Sequence, residues 1–265
     1  ILLFEPVNVL QLAKKFKKFD VAIDCEPYLN ISALAGRWLA RKQIGFSHGM
    51  RAKLYDKKTK YNDKQHVVTT YLDLGKLIGI KQTKKELAKL KHTKEDVNVI
   101  DALLKQEGIT KTDFVVGMCQ SVAESGKNRM WPTQNYAIVT DELIEKHNTK
   151  ILLVGAKSDT KNNNEIIKLA KQPEKIINLA GKTTLKQLFY LVTKCKLFIS
   201  NDTGPMHIAA AQGTQTIGIF GPNLPLRFAP YGKKNISLYA KQYCSPCINV
   251  HKGKFPECFN NIKGK

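Results

Sequence analysis

SNDTGPMHIAAAQGTQTIGIFGP (Ser200–Pro222) reads as the end of a strand, a tight polar turn, a helix of small residues and a second strand closed by Gly-Pro. With KLFISN (Lys196–Asn201) in front of it, the pattern is strand–helix–strand, which implies two parallel strands joined by a right-handed crossover. The turn holds Asp202, Thr203, Gly204, Pro205 and His207, more functional side chains than a connector requires. Pro205 suits a first helical turn, where its missing N–H costs nothing, and Gly204 permits close backbone approach. Open N–H groups and the positive end of the helix dipole together favour an anion such as a diphosphate. His207 lies two residues beyond Pro205 and is placed to face the same cavity. Ala209, Ala210 and Ala211 let the helix pack closely on a sheet. The plainer alternative is that Asp202 or Thr203 caps the helix and His207 is a packed core side chain.

The alternation extends in both directions. Upstream, DFVVGMC (113–119), KILLVGA (150–156), KIINLAG (175–181) and KLFISN are short apolar runs expected to be strands. NYAIVTDELIEKH (135–147), NNEIIKLAKQ (163–172) and TLKQLFYLVTKC (184–195) carry helical spacing between them. Single helices between strands predict a parallel sheet covered on both faces. The first part of the chain is less regular. Strand FDVAID (19–24), helix NISALAGRWLARK (30–42) and strand QIGF (43–46) precede a basic loop over 47–64. An amphipathic helix over 69–80, a charged and exposed run over 81–93 and a helix over 95–109 stopped by Gly108 follow. This reading divides the chain near Lys111, into a domain over 1–111 and a second over 112–265.

Two further loops fall at strand ends, where open parallel sheets bind ligands. SGKNRMWP (Ser125–Pro132) offers Lys127 and Arg129 to a phosphate, with Trp131 packed at the base; alone it is better read as an ordinary charged loop with a buried Trp. LAGKTTLKQL (179–188) contains Gly-Lys-Thr without the spacing of a phosphate loop. Thr183 or Thr184 is expected to cap the helix there while facing the cleft. Convergence of such loops on one rim is what a nucleotide site requires. In the tail, Cys244, Cys247, Cys258 and His251 are a possible zinc set, although the second half of the set lacks regular spacing.

The 265 residues hold 43 basic and 22 acidic groups, a formal charge of +21. The excess is spread over both halves of the chain and attracts polyanions or phosphorylated substrates. Only five of the basic residues are Arg, which argues against sequence-specific nucleic-acid binding. No apolar run approaches the roughly 20 residues that cross a bilayer. Six cysteines without a disulfide framework favour a reducing, cytoplasmic setting. A chain opening on Ile1 without a leader reads as a fragment or processed product.

The stretch NDTGPMHIAAAQGTQTIGIFGPNLPLRFAPYG, with NLAGKTTLKQLFYLVTKCKLFIS and RMWP before it, resembles glycosyltransferase family 9, the heptosyltransferases. The resemblance runs from about Phe19 to Cys258 and includes CSPC, which weakens the separate zinc reading; no metal and no cofactor are expected. It implies a GT-B α/β architecture: two Rossmann-like domains with parallel sheets facing a cleft, the first domain incomplete. The second domain would bind a nucleotide-diphosphate sugar, typically ADP-heptose. The first would bind a phosphorylated, lipid-linked sugar acceptor of the lipopolysaccharide core, on the inner membrane face as a peripheral contact. Transfer would be inverting. Asp202, Thr203, Gly204, Pro205 and His207 would hold the donor, together with Ser125, Lys127 and Arg129, and Thr183 would lie beside the nucleoside. The catalytic base is unknown and is expected in a segment preceding Ile1. The competing readings are another GT-B nucleotide-sugar enzyme, such as an epimerase, and a non-catalytic polyanion-binding α/β module.

Overall fold

The structure is a computed structural model that describes residues 19–81, 86–122, 129–241 and 245–246. These residues form two compact units, one holding the described chain up to Lys81 and the other holding the chain from Glu86. Alternation alone put the division near Lys111. The helix before that point, however, turns Ile100 and Leu104 into the core formed with Val115, Leu188 and Leu191, so it belongs to the second unit.

The first unit contains a three-stranded sheet in the order β1-β2-β3, with β1 at Phe19–Ile23, β2 at Ala40–Phe46 and β3 at Lys57–Thr59. Both pairings are parallel. Helix α1 (Asn30–Leu39) crosses between β1 and β2, and α2 (Val67–Lys76) follows β3. β2 begins three residues earlier than its apolar run suggests because Ala40 pairs with Phe19 and Lys42 with Val21. β3 lies within the stretch expected to be a basic loop. Just after β1, a buried ion pair joins Arg51 to Asp24 at 2.7 Å, with Tyr55 donating its hydroxyl to the same carboxylate at 2.7 Å.

In the second unit the described elements are α3 (Lys94–Gln106), β4 (Val115–Cys119), α4 (Thr133–His147), β5 (Lys150–Leu153), α5 (Thr160–Leu169) and β6 (Ile176–Asn178). They continue with α6 (Leu185–Leu191), β7 (Leu197–Asn201), α7 (Gly204–Gln212), β8 (Gln215–Phe220), α8 (Pro225–Phe228) and β9 (Ile236–Tyr239). The sheet is parallel throughout, in the order β6-β5-β4-β7-β8-β9. Period-2 alternation separates its faces. Val115 and Cys119 of β4 pack toward Ile100, Leu191 and Ala209, while Val116 and Met118 pack toward Tyr136, Ile144 and Ile166. Gly117 lies between them because Phe198 crosses it: a Cβ there would fall 2.5 Å from the Phe198 ring.

The chain thus winds outward from β4 to β6, returns to the centre at β7 and winds outward again to β9. The direction reverses between β4 and β7. At such a point the two neighbouring crossovers diverge and leave a crevice beyond the carboxyl ends of the strands, where nucleotides bind in doubly wound sheets.

Candidate functional site

Asn201, the last residue of β7, is fully buried at this reversal. Its side-chain amide joins the two sides. Nδ2 donates to the Gln120 carbonyl at 2.5 Å, and Oδ1 accepts from the Trp131 backbone N–H and the Tyr136 hydroxyl, both at 3.2 Å. Gln120, just beyond β4, completes the tie by donating Nε2 to the Trp131 carbonyl at 3.1 Å and to the Thr133 hydroxyl at 2.7 Å. Burial pushes the Tyr136 phenol well above its ordinary pKa, so it remains a neutral donor.

Asp202 extends the ladder by one bond, its N–H reaching the Ile219 carbonyl at 3.2 Å. Its carboxylate is buried and already held by the protein: Asn223 Nδ2 donates to Oδ2, and one Arg129 terminal nitrogen lies 3.5 Å from the same oxygen. That Arg129 nitrogen also donates to the Asp202 carbonyl at 3.2 Å. The Arg129 Nε is buried without a hydrogen bond among the described residues. Asp202 therefore does not cap α7. Thr203 occupies the cap position in extended backbone geometry, yet its side chain makes no capping hydrogen bond.

The first turn of α7 is left open. Met206 N–H reaches the Thr203 carbonyl at 3.2 Å, and Pro205 has no N–H to satisfy. Gly204 is exposed, and a Cβ built on it would meet nothing within 4 Å. A ligand can approach the backbone there, facing the positive end of the helix with Arg129 alongside. His207 is half-buried within the first turns of the same helix.

Thr183 lies further along the same rim, in the turn after β6. Thr184, not Thr183, caps α6: its hydroxyl accepts from Gln187 N–H at 3.3 Å, and Gln187 Oε1 accepts from Thr184 N–H at 2.8 Å. Thr183 is half-buried beside it. The turn is fixed to the end of β5 by the Gly181 N–H, which reaches the Gly155 carbonyl at 3.0 Å. Three strand spacings separate the ends of β6 and β7, a span of about 14 Å. The structure thus brings Arg129 and Asp202 into contact and sets Thr183 apart on the same edge. Ser125 and Lys127 lie outside the described residues, as do Cys244, Cys247, Cys258 and His251. Gln120, Asn201 and Asn223 were not singled out from sequence. Only the position of Asn201 beside Asp202 pointed to any of them.

The model of glycosyltransferase family 9 (heptosyltransferase) matches residues 9–254. Lipopolysaccharide core heptosyltransferase OpsX of Haemophilus influenzae is 28% identical over 248 residues, covering 88% of this chain and 67% of that protein. Lipooligosaccharide heptosyltransferase 2 of Campylobacter jejuni is 35% identical over 145 residues, covering 53% of this chain and 45% of that protein. The matched regions thus span about half to two thirds of these relatives. Among solved structures, a family 9 glycosyltransferase from Veillonella parvula superposes with a TM-score of 0.77 at 22% identity, over 97% of this chain and 74% of that one. Escherichia coli ADP-heptose lps heptosyltransferase II gives 0.69 at 23%, over 87% and 70%. These likenesses place the fold in the GT-B class of α/β proteins with parallel sheets. A family match across nearly the whole chain, in a protein whose second sheet reverses direction at an open helix N-terminus, shows that this chain belongs to glycosyltransferase family 9, the heptosyltransferase family.

Proposed function

We propose that the second unit binds a nucleoside-diphosphate sugar, ADP-heptose, and that the protein transfers the heptose with inversion to a phosphorylated sugar acceptor of the lipopolysaccharide core. The observation that carries the reading is the crevice between β4 and β7, where the uncapped first turn of α7 and Arg129 converge. The relatives' names supply the sugar, and an Escherichia coli heptosyltransferase solved with ADP supplies a precedent for the nucleotide. The diphosphate lies over Gly204, and the nucleoside runs along the rim toward Thr183, which the span of about 14 Å accommodates. The first unit serves the acceptor.

In this reaction an acceptor hydroxyl, passing its proton to a general base, attacks the anomeric carbon. A new C–O bond forms as the bond to the diphosphate breaks, and the leaving group carries the electron pair. Negative charge therefore grows on the diphosphate in the transition state. The α7 dipole and the Arg129 guanidinium stabilise it from preset positions, without reorganising at the moment of reaction. Asp202 acts by holding Arg129 and by anchoring the turn through Asn223.

Calorimetric titration with ADP, ADP-heptose, UDP and a short DNA duplex tests the reading. The expected result is saturable binding of the adenine ligands, lost in Arg129→Ala and Asp202→Ala, followed by transfer to a lipopolysaccharide-core acceptor with inverted anomeric configuration by proton NMR. Failure of ADP to bind, with steeply salt-dependent DNA binding, would instead identify a polyanion-binding module. An epimerised donor without transfer would identify an epimerase.

A further inference from the structure

At the opposite end of α7 from the nucleotide crevice, the second unit contains a cavity of about 310 Å³. Two lysine-bearing segments wall it. One carries Lys89, and the other is the turn before β9, which carries Lys233 and Lys234. Glu86 supplies a lining carboxylate, and among the described residues none of the three lysines forms an ion pair.

Buried or half-buried amides hold both walls in place. Gln212, at the last turn of α7, accepts from Leu90 N–H at 2.9 Å and donates to the Leu90 carbonyl at 3.1 Å and the Phe189 carbonyl at 2.9 Å. The residue next to Lys89 is thereby clamped as a strand partner would clamp it. Asn235 accepts from Thr216 N–H at 2.9 Å and donates to the Tyr231 carbonyl at 2.9 Å, fixing the other segment to β8. Between the walls, Gly213 leaves room for the Lys89 ammonium: a Cβ there would fall 2.6 Å from Nζ. Lys89 thus reaches the C-terminal end of α7, where the helix dipole favours a cation, and the exposed Lys233 and Lys234 face the same cavity, leaving three cations to the one Glu86 carboxylate.

We propose that this cavity is a second anion site, distinct from the nucleotide crevice, that takes a compact phosphate-bearing ligand. Lysine binds a phosphate as a point charge that can approach from several directions. The ligand is either a soluble sugar phosphate or the phosphate of a lipid headgroup.

The test is acetylation of the intact chain with acetic anhydride, read lysine by lysine by mass spectrometry, at constant ionic strength and with saturating ADP. At inorganic phosphate about ten times Kd, labelling of Lys89, Lys233 and Lys234 should slow about tenfold, with Lys161 and Lys168 of α5 unchanged. Equal labelling with and without phosphate would overturn the proposal. Protection by glucose 1-phosphate assigns a soluble ligand. Protection by phosphatidic acid vesicles, and not by glucose 1-phosphate, assigns a headgroup. The combined variant Lys89→Gln, Lys233→Gln, Lys234→Gln should lose calorimetric phosphate binding while keeping its circular dichroism and its ADP affinity; undiminished phosphate binding would overturn the proposal. Arg129→Ala should leave the protection intact, so the outcome does not depend on the nucleotide reading.

Discussion

Replacing Asn201 by Leu tests whether one buried amide holds the two sides of the crevice together. The substitution keeps the number of side-chain heavy atoms but orphans the Gln120 carbonyl and the Trp131 N–H, while the Tyr136 hydroxyl keeps the Cys119 carbonyl at 3.2 Å. Gln120 is buried, so water does not replace the lost partner there. At about 1.5 kcal/mol for each of the two groups left unpaired, the loss is about 3 kcal/mol. Added apolar burial returns about 1 kcal/mol, leaving a net cost of about 2 kcal/mol. Trp131 fluorescence reports the second unit once Trp38 of the first unit is replaced by Phe. With a urea slope of about 2 kcal/mol/M, the unfolding midpoint should fall by about 1 M. Tyr136→Phe removes one of the same bonds, so the double variant should cost less than the sum of the singles by about 1 kcal/mol. Loosening of the loop that carries Arg129 should also weaken ADP binding at least about tenfold. A midpoint unchanged within error would refute the energetic reasoning. A lowered midpoint with unchanged ADP affinity would refute the claim that Asn201 positions the site.

Asn223→Asp sets a second carboxylate against Asp202 Oδ2 in a buried site, which raises the pKa of the pair. The folded state then binds the extra proton more tightly than the unfolded state, so stability relative to the unsubstituted chain should fall as pH rises above about 4; a flat difference in urea midpoint between pH 4 and 8 would exclude the contact. In the first unit, Arg51→Met leaves Asp24 buried with only the Tyr55, Ser32 and Glu26 donors. It should cost about 3 kcal/mol by Trp38 fluorescence in a Trp131→Phe background, part of which Asp24→Asn restores. The Thr93 backbone N–H and hydroxyl, both 2.8 Å from Asp96, hold that carboxyl below its ordinary pKa. Its contribution to stability is present above the unfolded pKa near 3.8 and is lost as pH falls through the lower folded value, so acid unfolding of Asp96→Asn should depend less on pH in this range. Burial pushes the Cys195 thiol up to about 12, and in pulsed alkylation at pH 8 the exposed Cys25 should label before Cys195, which should react at the rate of unfolding.

The second unit was legible in sequence to the extent that its order is local. Strands buried on both faces are continuous apolar runs, and VVGMC and ILLV stand out for that reason. Gly204-Pro205 marked the start of α7 because glycine and proline have few other uses at that position. Pairing order has no local signal. Nothing in KLFISN indicates that it lies beside VVGMC, with KIINLAG three strands away, yet that adjacency creates the crevice. β9 was not read because its four residues alternate in exposure and form one edge of the sheet. The stretch near Lys89 resembled solvated charge, and only the distant Gln212 shows that it is docked.

The residues that escaped the sequence reading share a chemistry, and that chemistry explains both their role and their invisibility. Gln120, Asn201, Gln212, Asn223 and Asn235 are neutral amides at the ends of strands or helices. There, a crossover leaves backbone N–H and carbonyl groups without ladder partners. An amide offers a donor and an acceptor on one short stem, so it satisfies two backbone groups from different segments at once. Asn201 does so across β4 and β7, Gln212 between α7 and the segment at Leu90, and Asn235 between β8 and the turn at Tyr231. A charged side chain could make similar bonds, but in a buried position it would carry a desolvation cost and a field of its own. Beside an anion site that field matters: a carboxylate in the place of Asn201 would oppose the ligand, and an ammonium would compete with Arg129 for Asp202. Neutral ties leave the helix dipole and Arg129 to set the potential of the crevice. Amides are also ordinary surface residues, so their pattern in sequence is no different from that of a polar loop, and only the partners they reach identify them.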